Sequence, residues 1–238
     1  LYSMKIDQEE GGLFHISDDF YNGVRTPEVC MAAIKEIGRA LAEIYEKNPL
    51  SEDYVFTVKN LTRIVALIDK KNQIPEVCMA AVKTHGFSLE FIQDKTPEIC
   101  MAAVQQNGGS LEFVNEKDRT PELCMLAVKK NGWALKFVNE KDKTLELCMV
   151  AVKQTGDALK YVHNQTPEIC LAAVQNTGRA LQYAKEQTTE MCMTAVKDCF
   201  NALKFVKNQT PEICLASVQQ CGDSLQYVQN QTPEICLA

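Results

Sequence analysis

The heptamer Thr-Pro-Glu-Ile-Cys-Met-Ala at Thr96–Ala102 returns, slightly altered, down most of a 238-residue chain. A fixed period of this kind restricts the fold to a tandem array. With the cysteine as anchor, repeats fall at Cys30, Cys78, Cys100, Cys124, Cys148, Cys170, Cys192, Cys214 and Cys236, in steps of 22 or 24 residues apart from a first interval of 48. Placing Tyr54 at the anchor divides that interval into two steps of 24 and aligns Val58 with Val104, Val65 with Leu111, and Leu67-Ile68 with Phe113-Val114. Nine full repeats and the opening of a tenth then occupy residues 26–238, and residues 1–25, which lack the anchor, read as a cap or a degraded repeat. The longer period arises where the links Asn115–Arg119 and Asn139–Lys143 replace a shorter one such as Gln93–Lys95, a loop adjustment that keeps the helices in register.

Within the repeat from Thr96 to Lys117, Thr96 suits an N-cap, Pro97 suits the first helical position and Glu98 suits the positive end of the helix dipole. The pattern predicts a first helix over about residues 97–107, closed by Gly108 as a left-handed C-terminal residue, and a shorter second helix over about residues 110–115. Ile99 to Val104 are almost all apolar, which predicts a helix buried nearly all round. Helices this short need tertiary support in water. Stacking of each repeat on its neighbours supplies it, so the expected fold class is all-α, an α-solenoid of two-helix repeats of 22–24 residues.

A net charge of -6, with both signs mixed along every repeat, speaks against general affinity for nucleic acid or an anionic membrane. No apolar run approaches the roughly 18 residues that span a bilayer. Of the 11 cysteines, nine are repeat anchors. Stacked helices lie about 8–10 Å apart, too far for bridges between neighbours, so the anchors are expected as reduced core thiols in a reducing compartment. Cys199 and Cys221 occupy the position before the glycine column and read as partly buried helix ends. The cysteines show no Cys-x-x-Cys pair, and His15, His85 and His163 are scattered, so no metal and no cofactor is expected. No set of catalytic residues recurs, and the chain is not expected to be an enzyme.

A unit reading Thr-Pro-Glu-x-Cys-x-x-Ala-Val, then Gly, then Ala-Leu-x-Phe/Tyr-Val, as at Thr120–Val138 and Thr166–Tyr183, resembles the tandem repeats called domain of unknown function 4116. The resemblance covers about residues 26–238. It implies a helical repeat and a place in large proteins of intracellular bacteria, including secreted effectors of Legionella type, and of some protists. It brings no catalytic residues, and it implies a cytoplasmic protein or one released into a host cytosol. Leu145 and Thr189 depart from its proline, Phe200 and Thr62 from its glycine, and the Tyr54 repeat from its cysteine.

Three columns bear on function. The position after the glycine reads Arg39, Arg63, Phe87, Gly109, Trp133, Asp157, Arg179, Asn201 and Asp223. A position that takes both Arg and Asp is expected to be open to water, and aromatic residues with Arg are frequent interface anchors. Arg39, Arg63, Phe87, Trp133, Asp157, Arg179, Asn201 and Asp223 are therefore the candidate binding residues. The column Phe91, Phe113, Phe137, Tyr161, Tyr183, Phe205 and Tyr227 is expected to pack in the core, and the column Lys35, Lys59, Lys83, Gln105, Lys129, Lys153, Gln175, Lys197 and Gln219 forms a solvated ridge. The leading expectation is a non-catalytic scaffold that binds a protein or peptide along an extended surface, with no membrane partner. The alternatives are nucleic-acid binding through the ridge and the aromatic column, or an arm for an enzyme domain elsewhere. Because the sequence runs from Leu1 to Ala238 and stops within a repeat, it reads as a piece of a longer protein. Uncovered Ile235, Cys236 and Leu237 would favour end-to-end association.

Overall fold

The Thr96 hydroxyl accepts a hydrogen bond from the Ile99 amide (3.4 Å), Pro97 opens the helix, and the helix runs Pro97–Gln106. The Glu98 carboxyl is held below the usual carboxylate range, first by its own backbone amide and then by the Thr96 hydroxyl. The same threonine cap starts the helices Pro121–Lys130, Leu145–Gln154, Pro167–Asn176, Thr189–Asp198 and Pro211–Gln220. Leu145 and Thr189 stand where the others have proline, whereas Pro75–Thr84 follows Ile74 with no side-chain cap, so either the threonine or the proline suffices to fix the start.

This computed structural model describes residues 26–48, positions 57–59, 61, 62, 65, 66 and 68, and residues 73–238. Tyr54, Arg63, Leu67, His15 and the proposed cap of residues 1–25 lie outside the described residues. The chain forms two compact bodies, Leu1–Asp118 and Arg119–Ala238. The first contains the helices Pro27–Lys47, Pro75–Thr84 and Pro97–Gln106, and the second contains the five full-length helices from Pro121 to Gln220 with the single turn Pro233–Cys236. In each body successive helices pack on one another, and the described residues are helical without strands, an all-α repeat stack of the solenoid class.

The second element of each repeat differs from expectation. It is a 3-10 helix that begins at the glycine itself, as in Gly86–Phe91, Gly108–Phe113, Gly132–Phe137, Gly156–Tyr161 and Gly178–Tyr183. The residue before the glycine ends the α-helix: Asn107 is extended (φ −147°, ψ 116°) and its amide closes on the Ala103 carbonyl. This extended residue turns the chain, and no left-handed glycine is needed. The first repeat departs again, because Pro27–Lys47 is one continuous helix that runs through Gly38. A helix tolerates an interior glycine at about 1 kcal/mol. Here the following residues, Arg39–Lys47, are mostly strong helix formers, and Arg39 pairs with Glu36 one turn earlier.

Burial follows one face of each α-helix rather than its whole circumference. In Pro97–Gln106 the buried side chains are Ile99, Cys100, Ala103 and Val104, whereas Met101 is 41% exposed. The 3-10 row adds Leu89, Leu111, Leu135, Leu159, Leu181 and Leu203, all fully buried, and the following Ile92, Val114, Val138, Val162 and Val206. In the interval without a cysteine, Thr57, Val65 and Ile68 are buried as Ala103, Leu111 and Val114 are. The anchors from Cys30 to Cys214 are buried thiols outside any disulfide, Cys199 and Cys221 are half-buried at helix ends, and Cys236 and Leu237 are exposed, whereas Ile235, expected to be uncovered, is 2% exposed. In the longer links the extra residues form one 3-10 turn, Glu116–Asp118 or Glu140–Asp142.

Candidate functional site

Gly86, Gly132, Gly156 and Gly178 of the glycine column are needed because the next repeat lies against them. A Cβ on Gly132 or Gly156 would stand 2.5 Å from the carbonyl oxygen of Ala151 or Ala173 respectively. The amide of Gly156 meanwhile donates to Asn176 Oδ1 (2.6 Å) and that of Gly178 to Asp198 Oδ2 (2.6 Å). This close approach carries the residue after the glycine onto the aromatic side chain of the following repeat. Phe87 meets Phe113 edge to face (centroids 5.9 Å apart), and Trp133 meets Tyr161 in the same way (6.1 Å). Asn201 Oδ1 accepts from the Tyr227 hydroxyl (2.9 Å), and Arg179 pairs with Asp157 one repeat earlier.

The aromatic column is therefore half-exposed and not part of the core: Phe113, Phe137, Tyr161, Tyr183, Phe205 and Tyr227 are all intermediate in burial. Interior space on this row is filled by the leucine two positions earlier. Together the post-glycine residues and the rings make one mixed face along the 3-10 row of each body.

The candidate binding residues divide on this face. Phe87 (36% exposed) and Trp133 (38%) present apolar surface to water, and Arg179 and Asp223 are exposed. Asp157 corrects the expectation of an open position. It is 5% exposed, with Oδ2 engaged by Arg179, which folds over it, and with Oδ1 buried without a partner. Asn201 is half-buried under its bond to Tyr227. Arg39 is exposed but lies inside the long first helix, so it does not share the local geometry of the others. Arg63 falls outside the described residues. The Lys/Gln ridge is exposed at all nine positions, on the α-helical row.

Sequence reasoning missed a column five residues before the anchor. Gln187 donates from Nε2 to the Phe205 carbonyl (2.9 Å) and accepts at Oε1 from the Lys207 amide (3.0 Å), tying the start of the repeat to the end of its 3-10 helix. Gln73, Gln165 and Gln209 do the same. In the other repeats Lys95, Arg119 and Lys143 make only the donor half, to the carbonyls of Phe113, Phe137 and Tyr161. Phe200, in the glycine column and 39% exposed, was also passed over as a surface aromatic. Its apolar type at a position filled by glycine in most repeats was the available signal.

The thiols offer little chemistry. Burial pushes Cys78 up to about 11, and burial is also the largest cause raising Cys100, Cys124, Cys148, Cys170, Cys192 and Cys214 above the ordinary thiol value. A protonated thiol is a poor nucleophile. Cys170 Sγ instead donates to Gln165 Oε1 (3.4 Å) and Cys100 Sγ to the Lys95 carbonyl (3.8 Å). The half-buried His85 is held below its ordinary pKa by burial and packs edge-on to Phe87. Among the described residues no group of three His, Cys, Asp or Glu side chains is placed to hold a metal ion, and no helix is long and apolar enough to cross a membrane.

No curated protein and no solved structure matches the chain. A family described as Domain of unknown function (DUF4116) matches twice in succession, at residues 75–119 and 120–166. Each match takes in two anchors, Cys78 with Cys100 and Cys124 with Cys148, so the family's module corresponds to a pair of the short repeats. The tandem repeats of residues 75–166 thus resemble this family of unknown function.

Proposed function

We propose that the chain is a non-catalytic repeat scaffold that binds a protein or peptide segment along its 3-10 row. The observation that carries this reading is Trp133, 38% exposed yet braced against Tyr161 of the next repeat. An aromatic side chain held rigid at the surface loses little conformational entropy on binding, which is what makes such residues interface anchors. Arg179, clamped by Asp157, is preorganised in the same way. The resemblance adds the context of a binding segment within a larger bacterial effector-like protein. Anchor thiols outside any disulfide suit a reducing compartment, such as the cytoplasm or a host cytosol.

A peptide-display selection on the intact chain tests the reading. Selected peptides should lose binding to a Trp133→Ala/Arg179→Ala variant and keep it for Lys129→Ala/Lys153→Ala on the helical ridge. The reverse pattern would move the binding face to the ridge and overturn the assignment.

A further inference from the structure

We infer that the 3-10 row of Arg119–Ala238 docks an extended acidic peptide whose carboxylates are spaced to meet Lys136, Lys160 and Lys204. The inference rests on the scaffold reading above and names the chemistry of its partner.

Twelve residues after the anchor, each repeat from Cys78 to Cys214 presents an exposed side chain beside a half-exposed ring. In the first body the position holds Glu90 and Glu112, and in the second it holds Lys136, Lys160, Gln182, Lys204 and Gln226. Together with Arg179, the second body's row carries four cations against Asp157 and Asp223, of which Asp157 is already paired with Arg179. This is a basic strip on a chain whose net charge is -6. Such local reversal of sign selects an anionic partner.

The lysines are held in place by the rings. Lys136 Nζ lies 4.3 Å from the centroid of Phe137, Lys160 Nζ 5.9 Å from that of Tyr161, and Lys204 Nζ 4.9 Å and 5.9 Å from those of Phe205 and Tyr227. A cation over a ring keeps its attraction for a carboxylate while losing some of its freedom. The same geometry decides between two anionic polymers. Single-stranded nucleic acid binds such rows by stacking bases on open ring faces. Here ammonium groups lie over Phe137, Tyr161, Phe205 and Tyr227, four of the five rings of this column in the second body, which favours a peptide.

Spacing specifies the peptide. Stacked helices repeat about every 8–10 Å, and a polyproline-type strand advances about 3.1 Å per residue, so one repeat corresponds to three peptide residues. Lys136 and Lys160 belong to consecutive repeats, Gln182 occupies the next, and Lys204 the one after. The matching ligand carries acids at its first, fourth and tenth positions, with apolar residues between them to contact Trp133 and Tyr183.

The experiment measures fluorescence anisotropy of the whole chain with four probes: a peptide with Glu at those three positions, an isomer with the three Glu contiguous, a version with Gln in their place, and oligothymidine. The spaced peptide should bind best and weaken as salt rises. Lys136→Gln/Lys160→Gln/Lys204→Gln should weaken it by about tenfold, while Lys129→Gln/Lys153→Gln/Lys197→Gln on the ridge should leave it unchanged. Equal binding of the contiguous or Gln peptide, preference for oligothymidine, or loss on the ridge variant overturns the inference. If the spaced peptide fails while display-selected peptides still depend on Trp133, the charge pattern is wrong and the scaffold reading survives.

Discussion

A Cβ placed on Gly132 would stand 2.5 Å from the carbonyl oxygen of Ala151 in the following repeat, and 2.8 Å from the side chain of Thr155. The carbonyl belongs to a helix and cannot step aside as a side chain can, so the two repeats would have to separate. Gly132→Ala should therefore cost about 1–3 kcal/mol. Gly222 meets nothing within 4 Å, and Gly222→Ala should be nearly neutral. Urea unfolding of the two variants checks the contrast. Equal effects would mean that the column serves backbone conformation and not close approach.

The paired bonds of Gln187 to the Phe205 carbonyl and the Lys207 amide give a second prediction. Gln187→Ala removes both and should cost about 1–3 kcal/mol. Gln187→Lys restores a donor, as Lys95 and Lys143 supply in their own repeats, but lysine has no acceptor for the amide. Its loss should fall between wild type and the alanine variant. A lysine variant as unstable as the alanine one would show that the donor half contributes nothing.

The start of each helix was legible in the sequence because the determinants are local: Thr96 caps, Pro97 opens, and both act within one turn. The apolar positions were legible as a set, but the division between Leu111 in the interior and Phe113 at the surface was not. It depends on how the next repeat is placed, and both residues are apolar. The glycine's role was misread for the same reason, since its constraint comes from a carbonyl about twenty residues away. The Gln, Lys and Arg of the tying column look like a solvated mixture until the shared acceptor carbonyl is seen. At the candidate site, Trp133 and Phe87 are exposed as expected from their mixed column. Asp157 is buried because its covering partner, Arg179, is supplied by the neighbouring repeat.

Leu135 and Phe137 turn that division into a measurement. Leu135 is fully buried, and Leu135→Ala should cost about 2–5 kcal/mol through lost transfer energy and the cavity left behind. Phe137 is half-exposed with Lys136 over its ring, so Phe137→Ala should cost less despite the larger side chain removed. Thermal or urea denaturation would decide. A greater loss at Phe137, or a loss at Leu135 below about 0.5 kcal/mol, would place the core on the aromatic column after all.

The anchor thiols predict the response to alkali. Burial raises Cys78 to about 11 from an ordinary 9.0, so the folded chain keeps this proton after the unfolded chain has released it. The contribution to stability is full below pH 9, declines as pH rises through the interval between the two values, and is gone above the folded one. Cys100, Cys124 and Cys148 are shifted in the same direction for the same first cause, so their losses should add. Lysines also titrate in this range, which makes the comparison with Cys78→Ala the discriminating one. The stability gap between wild type and Cys78→Ala should narrow between pH 8 and pH 10.5, because the wild-type thiol loses its advantage while alanine has none to lose. Iodoacetamide at pH 8 should label Cys236 first, then Cys199 and Cys221, and spare the buried anchors until the chain unfolds. Parallel stability curves for the two proteins, or rapid labelling of Cys124 in the folded chain, would show that these thiols are not sealed in the stack.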